Sequence, residues 1–192
     1  FLEGDKVTGF DMELIAEIGK VAGFEVEVKN QAFDGLLPAL QSGKIDLIIA
    51  GMTVTDERKK AVDFSESYYT ASQVIIVPAD NAAIKSFDDL KGKNVGVQIG
   101  TTGDTVISEI KEITNTKYNN GSEAVLALTT QKVDAVVIDN EPAKNFVAKN
   151  TGLKVVDTGA VKEDYAIAIA KGNKELLDKV NTGLKTLKEN GE

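Results

Sequence analysis

The stretch Leu37-Pro38-Ala39-Leu40-Gln41-Ser42-Gly43-Lys44-Ile45-Asp46-Leu47-Ile48-Ile49 has a counterpart in the second half of the chain, Val125-Leu126-Ala127-Leu128-Thr129-Thr130-Gln131-Lys132-Val133-Asp134-Ala135-Val136-Val137. Both read as a helix ending, a turn carrying a lysine, and an Ile/Val-Asp strand. A generic helix–strand unit has the same look, so the echo alone leaves two readings open: coincidence, or two lobes of similar α/β build. On the second reading the strand ends Ala50-Gly51 and Ile138-Asp139 are equivalent. Ligands of open α/β sheets sit beyond the carboxyl ends of strands, so two such ends facing each other would make one site.

Around this pair, helix-period and strand-period segments alternate, the pattern of α/β folds. Asp11 to Ala22 sets Leu14, Ile15, Ile18, Val21 and Ala22 on one helical face, with Gly23 where a C-terminal glycine belongs. Phe24 to Val28 alternates apolar and acidic residues as a half-buried strand. Asp34 is placed to cap a short helix with Leu36, Leu37 and Leu40 inward, ended by Gly43, and Ile45 to Ala50 suits a buried parallel strand. Asn94 to Gln98, Val133 to Ile138 and Tyr165 to Ala170 read as strands; Asp104 to Ile113 and Lys174 to Lys188 read as helices. No stretch is rich enough in proline or serine to be a flexible linker, which predicts lobes joined by strands, at Tyr69 to Val77 and Tyr165 to Ala170.

The 192 residues accommodate one domain or two small ones, and 42% hydrophobic residues suffice for an ordinary core. No apolar run is long enough to span a bilayer. A net charge of −8 argues against nucleic acid and permits a cationic small ligand. Cysteine and histidine are both absent, which removes disulfides, thiolate or imidazole metal sites and the commonest general base. No metal and no cofactor is expected, and a binding protein is favoured over a hydrolase. Phe1-Leu2-Glu3-Gly4 does not open like a signal peptide, so any such peptide is expected to have been removed.

Of 22 basic residues only Arg58 is an arginine. Arginine is needed where a planar fork must hold a carboxylate through two hydrogen bonds, and lysine substitutes poorly there. Arg58 lies just past the Ile45–Ala50 strand; taken from the charge run alone, a charged surface turn, Asp56-Glu57-Arg58-Lys59-Lys60, accounts for it better. Gly100-Thr101-Thr102-Gly103 joins a strand to a helix, where free N–H groups can meet an anion or simply be capped. Asp139 ends an apolar strand and can pair with an ammonium group or serve as a turn acid before Pro142. Phe33 can stack on a ligand or join the core. Together a carboxylate clamp, an anion-binding helix start and an ammonium partner describe the zwitterionic end of an α-amino acid, and no acid–base pair is poised for catalysis.

The chain resembles the polar amino-acid periplasmic-binding-protein family of ABC importers, bacterial extracellular solute-binding family 3, in particular its glutamine- and basic-amino-acid-binding members. The resemblance rests on Gly9-Phe10-Asp11-Met12-Glu13-Leu14, Phe33-Asp34-Gly35-Leu36-Leu37-Pro38-Ala39-Leu40, and Ala50-Gly51-Met52-Thr53-Val54-Thr55-Asp56-Glu57-Arg58-Lys59-Lys60. Asp63-Phe64-Ser65, Tyr68-Tyr69, Leu90-Lys91-Gly92-Lys93, Val95-Gly96-Val97-Gln98, Gly100-Thr101-Thr102 and Val133-Asp134-Ala135-Val136 continue it in family order. It implies an α/β, periplasmic-binding-protein-like type II fold: lobe 1 at 1–72 and 166–192, lobe 2 at 73–165, and two crossing hinge strands with the ligand in the cleft. It implies that Arg58 and the Thr101-Thr102 turn bind the α-carboxylate, Thr102 through its backbone, while Gly51, beside Ala50, holds the α-ammonium with Thr53 and Asp139. Phe33 would wall the ligand's side chain, Gln98 and Met52 would tune its choice, and Ser72, Gln73, Asp164 and Tyr165 would form the hinge. The implied partners are a free polar amino acid and a membrane permease. The implied setting is extracytoplasmic, in the periplasm or lipid-anchored to the outer face of the cell membrane, with the protein a monomer and not an enzyme. The family pattern has an N-terminal strand before Gly9 and a final helix beyond Gly191; both are expected to be missing from lobe 1. A sensor module or a dehydratase-like enzyme on the same fold is the alternative; the continuous Ser72–Asp80 crossing leaves no room for a membrane insertion there.

Overall fold

The computed structural model describes residues 2–3 and 6–191. In chain order the elements are β1 (Leu2–Glu3), β2 (Lys6–Val7), α1 (Phe10–Ala22), α2 (Leu36–Gln41), β3 (Leu47–Ile48), α3 (Asp56–Ala61), β4 (Val62–Pro78) and β5 (Asn94–Gln98). There follow α4 (Thr102–Glu109), β6 (Thr114–Tyr118), α5 (Gly121–Thr129), β7 (Ala135–Asp139), α6 (Asn140–Lys149), β8 (Leu153–Ala170) and α7 (Lys174–Asn190). The chain forms two compact units, one of Phe1–Gln31, Gly35–Thr70 and Asp164–Glu192, the other of Ala32–Asp34 and Ala71–Glu163. It passes between them inside the long strands β4 and β8.

In the second unit the strand order is β4-β7-β5-β6, with β7 antiparallel to β4 and parallel to β5, and β5 parallel to β6. Alternation along these strands sorts the core onto two faces. Val74, Ile76, Val136 and Ile138 pack with Ala124, Val125, Ala127 and Leu128 of α5, while Ile75, Val77, Val95, Val97, Ala135 and Val137 pack with Ile107 of α4. Both faces are apolar because helices cover both, as a sheet with parallel strands requires.

In the first unit Ile15 and Ile18 of α1, Val180, Leu184 and Leu187 of α7, and Ile167 and Ile169 of β8 form the core. Leu14, Leu176 and Leu177 are partly buried against it, whereas Val21, expected inward, is 41% exposed. Ser65 of β4 is buried, and its Oγ accepts the Ile167 N–H at 2.9 Å while donating to the Glu66 carbonyl.

The repeated helix–turn–strand unit is real in both places. The turn after α2 closes with Lys44 N–H to Ala39 O at 3.0 Å and the turn after α5 with Lys132 N–H to Ala127 O at 2.8 Å. Each puts the preceding residue in the left-handed region, Gly43 at φ 73° and Gln131 at φ 58°. The aligned residues thus terminate their helices by the same device, glycine in one unit and glutamine in the other.

Several expected boundaries are corrected. Phe24 to Val28 forms no strand, because no described strand pairs with it; it instead packs on α1, its Phe24 carbonyl and Val26 lying where a Cβ on Gly19 would sit. The strand expected at Ile45 to Ala50 is regular only over Leu47–Ile48 and runs antiparallel to β8, not parallel. Asp34 makes no helix cap; it lies in a 3-10 turn, Phe33–Gly35, that leads into α2. The helix expected at Asp104 to Ile113 starts earlier, at Thr102, and ends at Glu109, because Thr101 is the residue whose side chain caps it.

Replacing Ser65 by alanine leaves the Ile167 N–H buried without a partner. We expect a loss of about 1–3 kcal/mol in unfolding free energy, read by urea denaturation with an unchanged denaturant slope.

Candidate ligand-binding residues

In the first unit the chain beyond β3 stays beside β8. The Met52 carbonyl accepts from Ala166 N–H, Val54 N–H donates to the Asp164 carbonyl, and Thr53 bridges Tyr165. The path kinks at Gly51, at φ 56°, where a Cβ would come within 3.1 Å of the Tyr165 ring. That close approach and the positive φ together require glycine. The Gly51 N–H is bound by Asp11 Oδ2 at 2.9 Å and the Tyr68 hydroxyl at 3.2 Å. Burial pushes the Asp11 carboxyl above its ordinary range, against the opposing hydrogen bonds from Tyr68 and Gly51. Burial and the Asp11 charge push the Tyr68 hydroxyl the same way, so it stays a donor. Tyr68 and Tyr69 pack against Tyr165 with ring centroids 6.3 and 5.8 Å apart, and Phe10, 58% exposed, lies against both.

Arg58 belongs to α3, whose first turn is capped by Thr55 accepting the Arg58 N–H at 3.1 Å. The half-buried guanidinium donates through Nη1 to the Thr53 carbonyl at 2.7 Å. Strand end and guanidinium are thereby tied together through the Thr53 carbonyl. Ala50 is exposed, Thr53 is buried and Met52 has no exposed surface.

In the second unit the loop after β5 is built by Asp104. Its buried carboxylate accepts the Gly100 N–H at 3.0 Å, the Lys117 ammonium at 3.0 Å, Asn115 at 2.9 Å and Ser108 at 3.1 Å. Burial pushes its carboxyl up, but these donors more than offset that and hold it below the usual carboxylate range. Thr101 caps α4, its Oγ1 accepting the Asp104 N–H at 3.2 Å and donating to the Gln98 carbonyl at 2.8 Å. Asp139 stands at the end of β7, directly opposite Gln73 of β4. Phe33 and Gln98 are half-buried residues of this same unit.

The structure therefore gathers Ala50, Gly51, Met52, Thr53, Arg58, Asp164 and Tyr165 in one unit, and Phe33, Ser72, Gln73, Gln98, Thr101, Thr102 and Asp139 in the other. Sequence reasoning missed Asp11 and Tyr68 as the residues that hold Gly51, and Glu163 as a partner of Thr102, whose hydroxyl donates to Glu163 at 2.7 Å. The signal for Asp11 was present in Gly9-Phe10-Asp11, but nothing local links it to a glycine so far along the chain. No cluster of three or more Asp or Glu residues able to hold a metal ion occurs among the described residues.

Two units, each of helices packed on strands, have the build of the periplasmic-binding-protein-like α/β fold. Over residues 1–192 the chain matches the family described as bacterial extracellular solute-binding proteins, family 3, and it belongs to that family. Membership places its work outside the cytoplasm. Among its relatives is the arginine-binding extracellular protein ArtP of Bacillus subtilis (strain 168), 39% identical over all of this chain and 77% of that protein. Among solved structures, an ancestral arginine-binding protein bound to arginine is 47% identical with a TM-score of 0.95, over 98% of this chain and 86% of that one. The ancestral arginine-binding protein bound to glutamine is 48% identical, also with a TM-score of 0.95, over 98% and 85%. The fold is thus the periplasmic-binding-protein-like α/β fold. No helix among the described residues is long and apolar enough to cross a membrane.

Replacing Asp104 by asparagine tests the loop. A carboxyl held low when folded contributes stability above its unfolded value of 3.8 that is lost as pH falls through the lower folded value. The variant is expected to melt below wild type at neutral pH, with the gap closing in strongly acidic buffer; calorimetry across pH checks it.

Proposed function

We propose that this protein captures a free polar L-amino acid, L-arginine first and L-glutamine second, for an ABC importer and delivers it to the membrane permease. The observation that carries the reading is Arg58: the chain's single arginine, half-buried, its fork fixed to the Thr53 carbonyl beyond the strand end. A planar guanidinium held in this way is suited to grip an α-carboxylate with two parallel hydrogen bonds. The Thr102 N–H at the start of α4 assists it, and Asp139, with Gly51 and Thr53, takes the α-ammonium. Phe33 and Gln98 then meet the choice of side chain directly, and the fully buried Met52 acts on it through packing. The ligands named for the arginine-binding relatives, and the net charge of −8, support a basic amino acid.

The two units act as lobes hinged at Ser72, Gln73, Asp164 and Tyr165. Capture is a population shift, effective only if the ligand binds the closed form better than the open one. Membership of a solute-binding family supports reading the protein as a carrier and not an enzyme. It works as a monomer, in the periplasm or lipid-anchored at the outer face of the cell membrane.

A thermal-shift screen of the twenty amino acids tests this directly. Saturation to a hundredfold excess over Kd stabilises by about 2.7 kcal/mol, so one or two polar amino acids raise Tm by several degrees; no shift with any of them sinks the reading. Arg58→Lys keeps the charge but loses the fork, and is expected to weaken binding by about tenfold to a hundredfold. An unchanged shift would place the carboxylate elsewhere.

A further inference from the structure

We propose that Gln73 is a positioning residue whose buried amide sets the carboxylate of Asp139 for the ligand's ammonium, resting on the proposed reading of Asp139. The β4–β7 register makes Gln73 and Asp139 direct cross-strand partners, so their side chains share one face of the sheet. Gln73 is 2% exposed, yet its Nε2 reaches three acceptors: Asp139 Oδ1, Thr102 Oγ1 at 3.0 Å and Glu163 Oε2 at 3.3 Å. An amide nitrogen brings two hydrogens, and Thr102 can itself donate to Glu163 at 2.7 Å, so Asp139 and Thr102 are the natural takers. Turning the amide over would set its oxygen against two carboxylates, which fixes its orientation.

The other end of the amide shows why it is there. Gln73 Oε1 is buried without a hydrogen-bond partner. It lies 2.8 Å from where a Cβ on Gly103 would begin, so the first turn of α4 closes on it from behind. An apolar side chain of similar length would bury here without that unpaired oxygen; what glutamine adds is the NH₂ group. Its hydrogen bond limits the rotamers of Asp139 before ligand arrives, and an anchor already in place costs the ligand less ordering. Thr102 is less dependent on Gln73, because the N–H proposed to meet the ligand carboxylate is set by the helix backbone. The amide therefore serves the ammonium end of the ligand and not its carboxylate end.

The test uses the full chain with L-arginine and desamino-arginine, which lacks only the α-amino group, by titration calorimetry. Gln73→Met is expected to weaken L-arginine by about tenfold or more and leave desamino-arginine within about twofold. In an Asp139→Asn background, Gln73→Met should cost L-arginine little further. Equal losses for both ligands, or losses that simply add, overturn the proposal. Thermal unfolding of the ligand-free single and double variants decides it independently: the pair must be non-additive, and additivity overturns it. A wild-type protein that takes up no L-arginine counts against the proposed ligand, while the unfolding cycle still decides the role of Gln73.

Discussion

A one-residue slip between β4 and β7 would undo most of what this protein has. The period of two in a strand means that such a slip moves every side chain to the opposite face. Val74 and Ile76 would leave α5, Ile75 and Val77 would leave α4, and Gln73 would turn away from Asp139. The apolar alternation thus specifies the register, and the register delivers the polar pair at the strand end. The core and the candidate site are two consequences of one pairing.

The same economy holds at the other anchors. Arg58 both takes a helix cap from Thr55 and gives a hydrogen bond to Thr53, so the end of the strand path and the start of α3 define one guanidinium position. Asp104 turns burial, ordinarily a cost to a carboxylate, into order by collecting backbone, ammonium, amide and hydroxyl donors around the Gly100 turn. Asp11 does less well against burial, and its partners are fewer: the Gly51 N–H and the Tyr68 hydroxyl. Arg58, Asp104 and Asp11 each hold a backbone group at a strand path or turn, Thr53, Gly100 and Gly51 respectively.

Much of this was legible in the chain. The duplicated helix–turn–strand pattern marked a unit in each half, and the shared turn geometry at Gly43 and Gln131 gives that echo its physical content. Asn94–Gln98 and α7 read correctly because their periodicity is strong and their ends carry turn residues. The misreadings have physical causes. The Phe24 to Val28 alternation is a preference for strand, but a strand needs a ladder partner, which a local pattern does not reveal. The Ile45 to Ala50 run could not disclose that its neighbour would be antiparallel. Arg58 was visible by scarcity, whereas Asp11, Tyr68 and Glu163 act through contacts between distant stretches, and no local spacing encodes those.

The residues assigned to the part of an amino acid that all amino acids share sit at strand ends, helix caps and cross-strand pairs, where chain geometry dictates residue type. The positions assigned to the choice of side chain obey no such rule. Phe33 lies in a 3-10 turn, Gln98 closes β5, and Met52 is enclosed entirely, so that its influence passes through packing. On the proposed reading, the class of ligand follows from groups fixed at the ends of elements, and its identity from a few side chains that no such end dictates.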